Sequence, residues 1–497
     1  MLPSALYVTL LGVPTGCCDS GPVREEEEPL AEDRLRWYRE AKFGLFIHWG
    51  PYSVAGVEAS WPIMAPDLAA VAFGDQPSIG EAEYIALAQQ FNPVDYDPRA
   101  WVRLAQQAGT RYLVFTAKHH DGFCMFDAPG TDYKITRTPY GRDLCAELAT
   151  ACAEVGLHLC FYYSQPDMHH PGYRDTRQPV ANNWLGEPQR PQWASYLDYM
   201  EGHLRKLLTD YGPVSALWFD GLSSHDKYDP PRFHRLIHEL SPSTLVNDRL
   251  GGSYDFVTAE QFIPRRGIPV KHRLSRLSDG HFRLLLSLLR TPILGAWVRR
   301  QARRYAEGSL QLASMPTASY PRPEDFQPWE TCLTMNRTWA YNPSDQAYKP
   351  SGQLLYNLMQ VASRGGNYLL NIGPSPHGTF PPEAVDRLQA LGKWMTVNGE
   401  AIHGTTYGPL QHLLFGRTTA KGNTVYLLIW DWPSSGRISL GAMPGRISAV
   451  TLLAGREPLS FNQAGNRFTI QIPRQPPDPL ISVLAIHLQP IQDGSRT

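Results

Sequence analysis

The chain reads as an α/β protein, a (β/α)8-like TIM barrel followed by a C-terminal antiparallel β-sandwich. Three observations predict this. Apolar runs ending in polar or ionisable residues recur along the first two-thirds of the sequence. Stretches with helical spacing lie between several of them, and strands alternating with helices form parallel sheets. From about residue 408 onward, short alternating runs separated by Gly, Pro and Asn replace that pattern, as in an antiparallel sandwich. A closed barrel is preferred to an open doubly wound sheet because it gathers many polar strand ends at one rim. An open sheet would also usually carry a Gly-rich first turn, and no GxGxxG follows a strand here.

The elements follow in order. Gly44 to Ile47 runs into His48-Trp49-Gly50. Ala100 to Ala108 has helical spacing, and Tyr112 to Ala117 then runs into Lys118-His119-His120-Asp121-Gly122. A second helical stretch, Leu144 to Val155, precedes Leu157 to Phe161, which ends in Tyr162-Tyr163-Ser164. A third, Tyr196 to Tyr211, precedes Val214 to Leu217, which ends in Trp218-Phe219-Asp220-Gly221. Thr244 to Val246 runs into Asn247-Asp248-Arg249, and Phe256 to Thr258 into Glu260. Tyr368 to Leu370 runs into Asn371 and Gly373, and Pro381 to Val397 reads as an amphipathic helix. The sandwich runs are Thr424 to Ile429, Val450 to Leu453, Phe468 to Ile472 and Ile481 to His487. The expected domains are an export signal and linker over 1–30, the barrel over 31–407 and the sandwich over 408–497.

Composition narrows the function. With 497 residues, 42% of them hydrophobic, and a formal net charge of −1, the chain is a globular protein with no electrostatic reason to bind nucleic acid or a membrane. The aromatic content, 13 Trp and 24 Tyr, leans towards sugar stacking, although such rings are more often core. Seven scattered cysteines make no disulfide framework, and Cys124, Cys145, Cys152, Cys160 and Cys332 sit in apolar patterns as buried thiols. Met1 to Val13 is apolar, and Cys17 precedes the acidic stretch Asp19 to Glu28, so the terminus resembles a short export signal of bacterial lipoprotein type with Cys17 as lipid anchor. Against that stand the missing basic n-region and Pro14 in the cleavage motif. No later run is long and apolar enough to span a bilayer. Between Arg265 and Arg304, eleven bases face one acid, Asp279, so the segment of about 265–327 reads as a basic insertion decorating a barrel loop. Asn336-Arg337-Thr338 is formally a glycosylation sequon.

A charge at the end of a buried strand is costly to desolvate unless something uses it, which singles out Asp220. Taken alone, it has a bland alternative as a helix cap or an ion-pair partner of a nearby Arg. Together with Glu260, several His and several aromatics, it matches the carboxylate pair that glycoside hydrolysis requires. Metal hydrolysis is the competitor. Yet the neighbours in His119-His120 and His169-His170 would point to opposite faces of a strand, and neither HExxH nor CxxC occurs. A GxSxG nucleophile elbow is also missing.

Four motifs then make a specific resemblance: Phe43 to Gly50, Thr116 to Phe123, Trp218 to Gly221 and Gly365 to Pro374. They resemble the signatures of α-L-fucosidases of glycoside hydrolase family 29, from about Trp37 to Gly404 apart from the basic insertion. The resemblance implies hydrolysis of terminal α-L-fucosyl residues of fucosylated glycans with retained configuration, and no metal or organic cofactor. It puts the nucleophile on Asp220 and fucose-binding roles on His48, His119, His120, Trp218, Arg249 and one tyrosine of the Tyr162-Tyr163 pair, taken as Tyr163. The acid/base falls on Glu260, with Glu330 as the alternative, and Glu58 and Trp61 are expected to line the sugar pocket. The competing reading is a fucose-binding protein that has lost turnover. Linkage, aglycone and any homo-oligomer are not encoded in these patterns.

Overall fold

The computed structural model describes residues 28–73, 77–221, 225–263, 326–410, 413–441, 443–465 and 467–489. The segment expected to be an export signal, with Cys17, and nearly all of the expected basic insertion lie outside these residues. No described helix is long and apolar enough to cross a membrane.

Eight parallel strands form the first sheet: β1 Phe43–Ile47, β2 Tyr112–Lys118, β3 His158–Ser164, β4 Ala216–Asp220, β5 Leu245–Val246, β6 Val257–Glu260, β7 Trp329–Thr334 and β8 Asn367–Ile372. Their order is β5-β4-β3-β2-β1-β8-β7-β6, so the sheet curls from both sides of β1. Its two ends meet at a single parallel bridge, Asn247 to Phe256, instead of a ladder. Side chains stand in for the missing ladder: Asp248 accepts from the Thr258 amide at 2.9 Å, and the Asn247 amide group donates to the Thr258 hydroxyl at 3.3 Å. The barrel is thus closed but irregular at one seam, where β5 passes to β6 through a single short 3-10 turn, Asp248–Leu250, instead of an α-helix.

Alternation along the strands assigns the two faces. Phe46, Val114, Cys160, Tyr162, Ala216, Trp218, Leu245, Cys332 and Leu369 fill the interior. Tyr38, on helix α1 (Glu28–Ala41), packs against Tyr112 and Phe256, with ring centroids 6.1 and 4.5 Å away. Phe43, Leu45, Leu113, Phe115, Leu217, Phe219 and Leu370 point outward into the larger core shared with the surrounding helices. Those helices are α2 Pro98–Gln107, α3 Leu144–Val155, α4 Trp193–Thr209, α5 Pro230–Leu240, α6 Ser351–Ala362 and α7 Pro382–Asn398. Caps fix where several of them begin. Asp97 and Asp143 accept from the amides of Ala100 and Ala146 at 3.0 and 2.9 Å, filling orphan donors of the first turn.

The C-terminal region holds two antiparallel sheets. One, ordered β13-β16-β11-β10-β9, comprises β9 Thr406–Tyr407, β10 Gly416–Lys421, β11 Thr424–Ile429, β13 Ile447–Leu452 and β16 Ser482–Leu488. The other, ordered β12-β15-β14, comprises β12 Arg437–Leu440, β14 Phe461–Ala464 and β15 Arg467–Gln471. Val425, Leu427, Ile438, Val450, Phe468, Ile470 and Ile486 make a core of their own. The region is tied to the barrel by the Trp394 indole, which donates to the Ile481 carbonyl at 2.8 Å, and by Thr419 donating to Ala401 at 2.7 Å.

The cysteines 124, 145, 152, 160 and 332 are buried and free, as their apolar surroundings predict. Asn336 is buried, and its amide group donates to Thr338 at 3.3 Å, so the folded sequon is closed to glycan attachment.

Candidate active site

The carboxyl ends of β1 to β6 converge on Asp220, the last residue of β4. Its Oδ1 accepts from the Gly221 amide at 2.9 Å and pairs with Arg249 Nη1, and its Oδ2 accepts from the Tyr162 hydroxyl at 2.8 Å. His120 Nε2 lies 3.5 Å from the same Oδ2. Burial alone would push the carboxyl up, but Arg249 and the tyrosine hydroxyl outweigh it and hold Asp220 below the ordinary carboxylate range.

Arg249 is the centre of the arrangement. One guanidinium nitrogen meets Asp220 and the other donates to Glu260 Oε2 at 3.0 Å. The guanidinium lies 4.7 Å from the Trp218 ring centroid, a cation–π contact that fixes its plane. Arg249 comes from the short turn Asp248–Leu250 that replaces an extended β5, so the irregular seam of the barrel positions it. Glu260, at the end of β6, is shifted upward, first by desolvation and then by Asp220, with Arg249 opposing. Its side chain remains 37% exposed, against 14% for Asp220. The residue after it, Gln261, holds φ at 50°, a strained conformation that ends the strand at the carboxylate.

Aromatic rings wall the space beside Asp220. Tyr162 stacks on His119 at 5.3 Å and on Trp218 at 5.5 Å, and His48 lies 5.6 Å from both His119 and Tyr162. All three histidines are held by one ring nitrogen: His48 by Asn371 at 2.6 Å, His119 by Ser60 at 2.7 Å and His120 by Ser164 at 2.6 Å. Desolvation lowers His48 and His120 to about 4 and holds His119 well below its ordinary value, so all three are neutral at pH 7. The strand-alternation argument does not separate His119 from His120. Both lie beyond the end of β2 at Lys118, where the pleat no longer applies, and their ring centroids are 4.4 Å apart. Among the described residues, no group of three or more His, Cys, Asp and Glu could hold a metal ion.

Two expectations are corrected. Tyr163 does not face this space: it points outward, completely buried, and pairs with His203 Nδ1 at 3.0 Å. The tyrosine beside Asp220 is Tyr162, because β3 and β4 are in register, with Tyr162 opposite Trp218 and Ser164 opposite Asp220, so these four share the inner face. Glu58 does not line a sugar pocket either. It is fully buried and accepts from the amides of Trp339, Ala340 and Ala59 at 2.9, 3.1 and 3.1 Å, pinning the loop that presents Trp339. Burial pushes its carboxyl up to about 8. Glu330 sits below the rim, on the barrel floor. It accepts from the Trp218 indole at 2.9 Å and from the Tyr112 hydroxyl, and is 1% exposed. Burial raises it to about 7, and its contacts make it a support for Trp218.

Trp61, half-buried, packs its ring against Phe73 at 5.8 Å, one residue after the Ser60 that holds His119. Ser60 itself adopts φ 61°, a strained geometry at a functional position. Sequence reasoning also missed Trp339, whose ring lies 5.1 Å from His48. Its only signal was its place in the aromatic-rich segment Trp329 to Tyr341.

The inward and outward tyrosines are separable by mutation. Tyr162→Phe removes one donor to Asp220 and is expected to lower kcat by about tenfold, in line with a charge-assisted hydrogen bond. Tyr163→Phe is expected to lower the melting temperature while leaving kcat within about twofold. Steady-state kinetics and thermal melts of the two variants check this, and the opposite pattern would restore Tyr163 to the site.

The chain matches the family model described as α-L-fucosidase over residues 20–280 and 299–400, and the gap between the two matches falls inside the basic run. It is 27% identical over 461 residues to an α-L-fucosidase of Branchiostoma floridae, covering 88% of each chain. Among solved structures, it resembles α-L-fucosidase isoenzyme 1 of Paenibacillus thiaminolyticus with a TM-score of 0.73 and 32% identity, over 92% of this chain and 99% of that one. It also resembles the Thermotoga maritima α-fucosidase, solved with a mechanism-based inhibitor, with a TM-score of 0.68 and 25% identity, over 91% and 96% of the two chains.

Proposed function

This chain belongs to the α-L-fucosidase family, and from that premise we propose that it is a retaining exo-glycosidase for terminal α-L-fucosyl residues, with Asp220 as nucleophile and Glu260 as acid/base. The observation that carries the reading is the Arg249 bridge. One guanidinium holds both carboxyl groups, and their environments displace them in opposite directions, Asp220 down and Glu260 up. A pair split in this way supplies an ionised nucleophile and a protonated acid at the same pH. The bridge also keeps the two groups within one guanidinium's reach. That suits the separation of about 5 Å in retaining enzymes better than the gap of roughly 6.5–9.5 Å that an inverting enzyme leaves for water.

Asp220 attacks the anomeric carbon while Glu260 protonates the departing glycosidic oxygen, leaving a fucosyl ester on Asp220. Glu260, now a carboxylate, takes a proton from water, which attacks the same carbon and frees Asp220. Exposure of Glu260 at the rim suits a group that must meet first a leaving group and then water. The wall of His48, His119, His120, Tyr162 and Trp218 binds the sugar, and the Trp218 ring keeps Arg249 in plane.

The test is hydrolysis of an aryl α-L-fucoside followed by proton NMR. The expected first product is the α anomer of L-fucose. A folded protein that binds fucose without turnover would establish the binding-protein alternative instead, and the β anomer appearing first would make the enzyme inverting. Export with a lipid anchor at Cys17 is a separate proposal, supported by the apolar Met1 to Val13 and the acidic stretch after Cys17. Cys17→Ser should move the protein from the membrane fraction to the soluble one, and unchanged fractionation would refute the anchor.

A further inference from the structure

We infer that Asn371 and Ser164 lock His48 and His120 as Nδ1–H tautomers, so that the sugar pocket offers two ring nitrogens, both Nε2, as acceptors for donating substrate hydroxyls. The inference rests on the functional reading above and adds to it the direction of the hydrogen bonds and two positioning residues.

The argument is a proton count. His48 Nδ1 lies 2.6 Å from Asn371 Oδ1. The amide cannot be turned round, because its Nδ2 donates to the Trp339 carbonyl at 2.7 Å, and a flip would set oxygen against oxygen. An amide oxygen only accepts, so the hydrogen between it and His48 belongs to Nδ1. Around His120 there are two contacts at hydrogen-bond length. Ser164 Oγ is 2.6 Å from His120 Nδ1 and 2.8 Å from the Pro166 carbonyl. The carbonyl carries no proton and serine only one, which it gives to the carbonyl. The second hydrogen therefore comes from His120 Nδ1. Both rings are neutral near pH 7, so each Nε2 is left with a lone pair.

The consequence is sharpest at His120, whose Nε2 faces Asp220 Oδ2 at 3.5 Å. Two acceptors confront each other there with no hydrogen between them, and a substrate hydroxyl supplies one. His119 does not follow the same rule. Ser60 Oγ accepts from the Asp121 amide at 2.9 Å and keeps its own proton, so either tautomer of His119 satisfies that contact.

Two measurements test the assignment. In the ligand-free protein, imidazole 15N shifts, assigned by loss of signals in His48→Gln and His120→Gln, should show protonated Nδ1 and unprotonated Nε2 in both rings at pH 7. An Nε2–H tautomer or an imidazolium at either ring overturns the inference, independently of whether the protein turns over fucosides. In the second measurement, Ser164→Ala should weaken kcat/KM by about tenfold or more, the scale of one hydrogen bond, and Ser164→Thr should restore most of it. Asn371→Asp places a carboxylate at His48 Nδ1. His48, which otherwise faces Asp220, His119, His120 and Tyr162, should then become protonated at higher pH. Its Nε2 would turn into a donor, so KM should rise as pH falls through the raised pKa while the wild type shows no such limb. A pH profile unchanged in Asn371→Asp, or a Ser164→Thr variant as weak as Ser164→Ala while equally well folded, refutes the positioning roles.

Discussion

Asp220→Ala is expected to abolish turnover of an aryl α-L-fucoside, with kcat falling by at least about 10³-fold, the scale seen when a nucleophile is deleted. The protein should remain folded. Asp220 accepts from the Gly221 amide and Tyr162 and pairs with Arg249, and at a rim these partners can turn to water or to Glu260. Added azide should restore activity, since a small anion fits where the carboxylate was and attacks the anomeric carbon from the nucleophile's side. One displacement in place of two inverts the centre, so the product is the β-fucosyl azide. Near-normal activity in the variant, or an azide product of retained configuration, would remove Asp220 from the nucleophile's role.

Glu260→Ala carries the second largest effect. A general acid contributes about 10²–10⁴-fold, and the loss should be largest for substrates with poor leaving groups that need the proton. Here azide should give the α-fucosyl azide, because the Asp220 ester still forms first and azide replaces the water that Glu260 would activate. The pH profile provides a second check. Burial and Asp220 raise Glu260, so in the wild type kcat/KM declines on the alkaline side as the acid loses its proton through that raised pKa. Asp220 lies below the ordinary range and stays ionised over the working pH, so the acid side is set lower. Glu260→Ala should lose the alkaline limb and keep the acid one. If azide rescued Glu330→Ala in this way and not Glu260→Ala, the assignment would be reversed. The floor position of Glu330, under Trp218 and against Tyr112, points instead to a variant with weakened sugar binding and stability.

Much of the architecture was legible because periodicity reports burial. Leu144 to Val155 forms a helix over those same residues, and strands β1 to β4, β6 and β8 end on or next to the polar residues that mark them. Asp220 and Glu260 could be read for the same reason, since a carboxylate ending an apolar run is conspicuous. The choice within Tyr162-Tyr163 could not. Both residues are aromatic and fully buried, and only the pairing of β3 with β4 decides which one shares a face with Asp220. Glu58 was misjudged because a carboxylate near a site looks the same in sequence whether it meets substrate or backbone amides.

Local pattern along one strand at a time carries most of the elements, the two carboxylates and the histidines at the strand ends, but not strands such as β7, β12 and β14. How these groups act together is a matter of tertiary contacts. Arg249 bridges Asp220 and Glu260 across 29 and 11 residues of chain, Glu330 reaches Trp218 across 112, and Asn371 orients His48 across 323. Charge displacement and proton position depend on distances between groups that the chain brings together only when the barrel closes, and no local pattern carries that information.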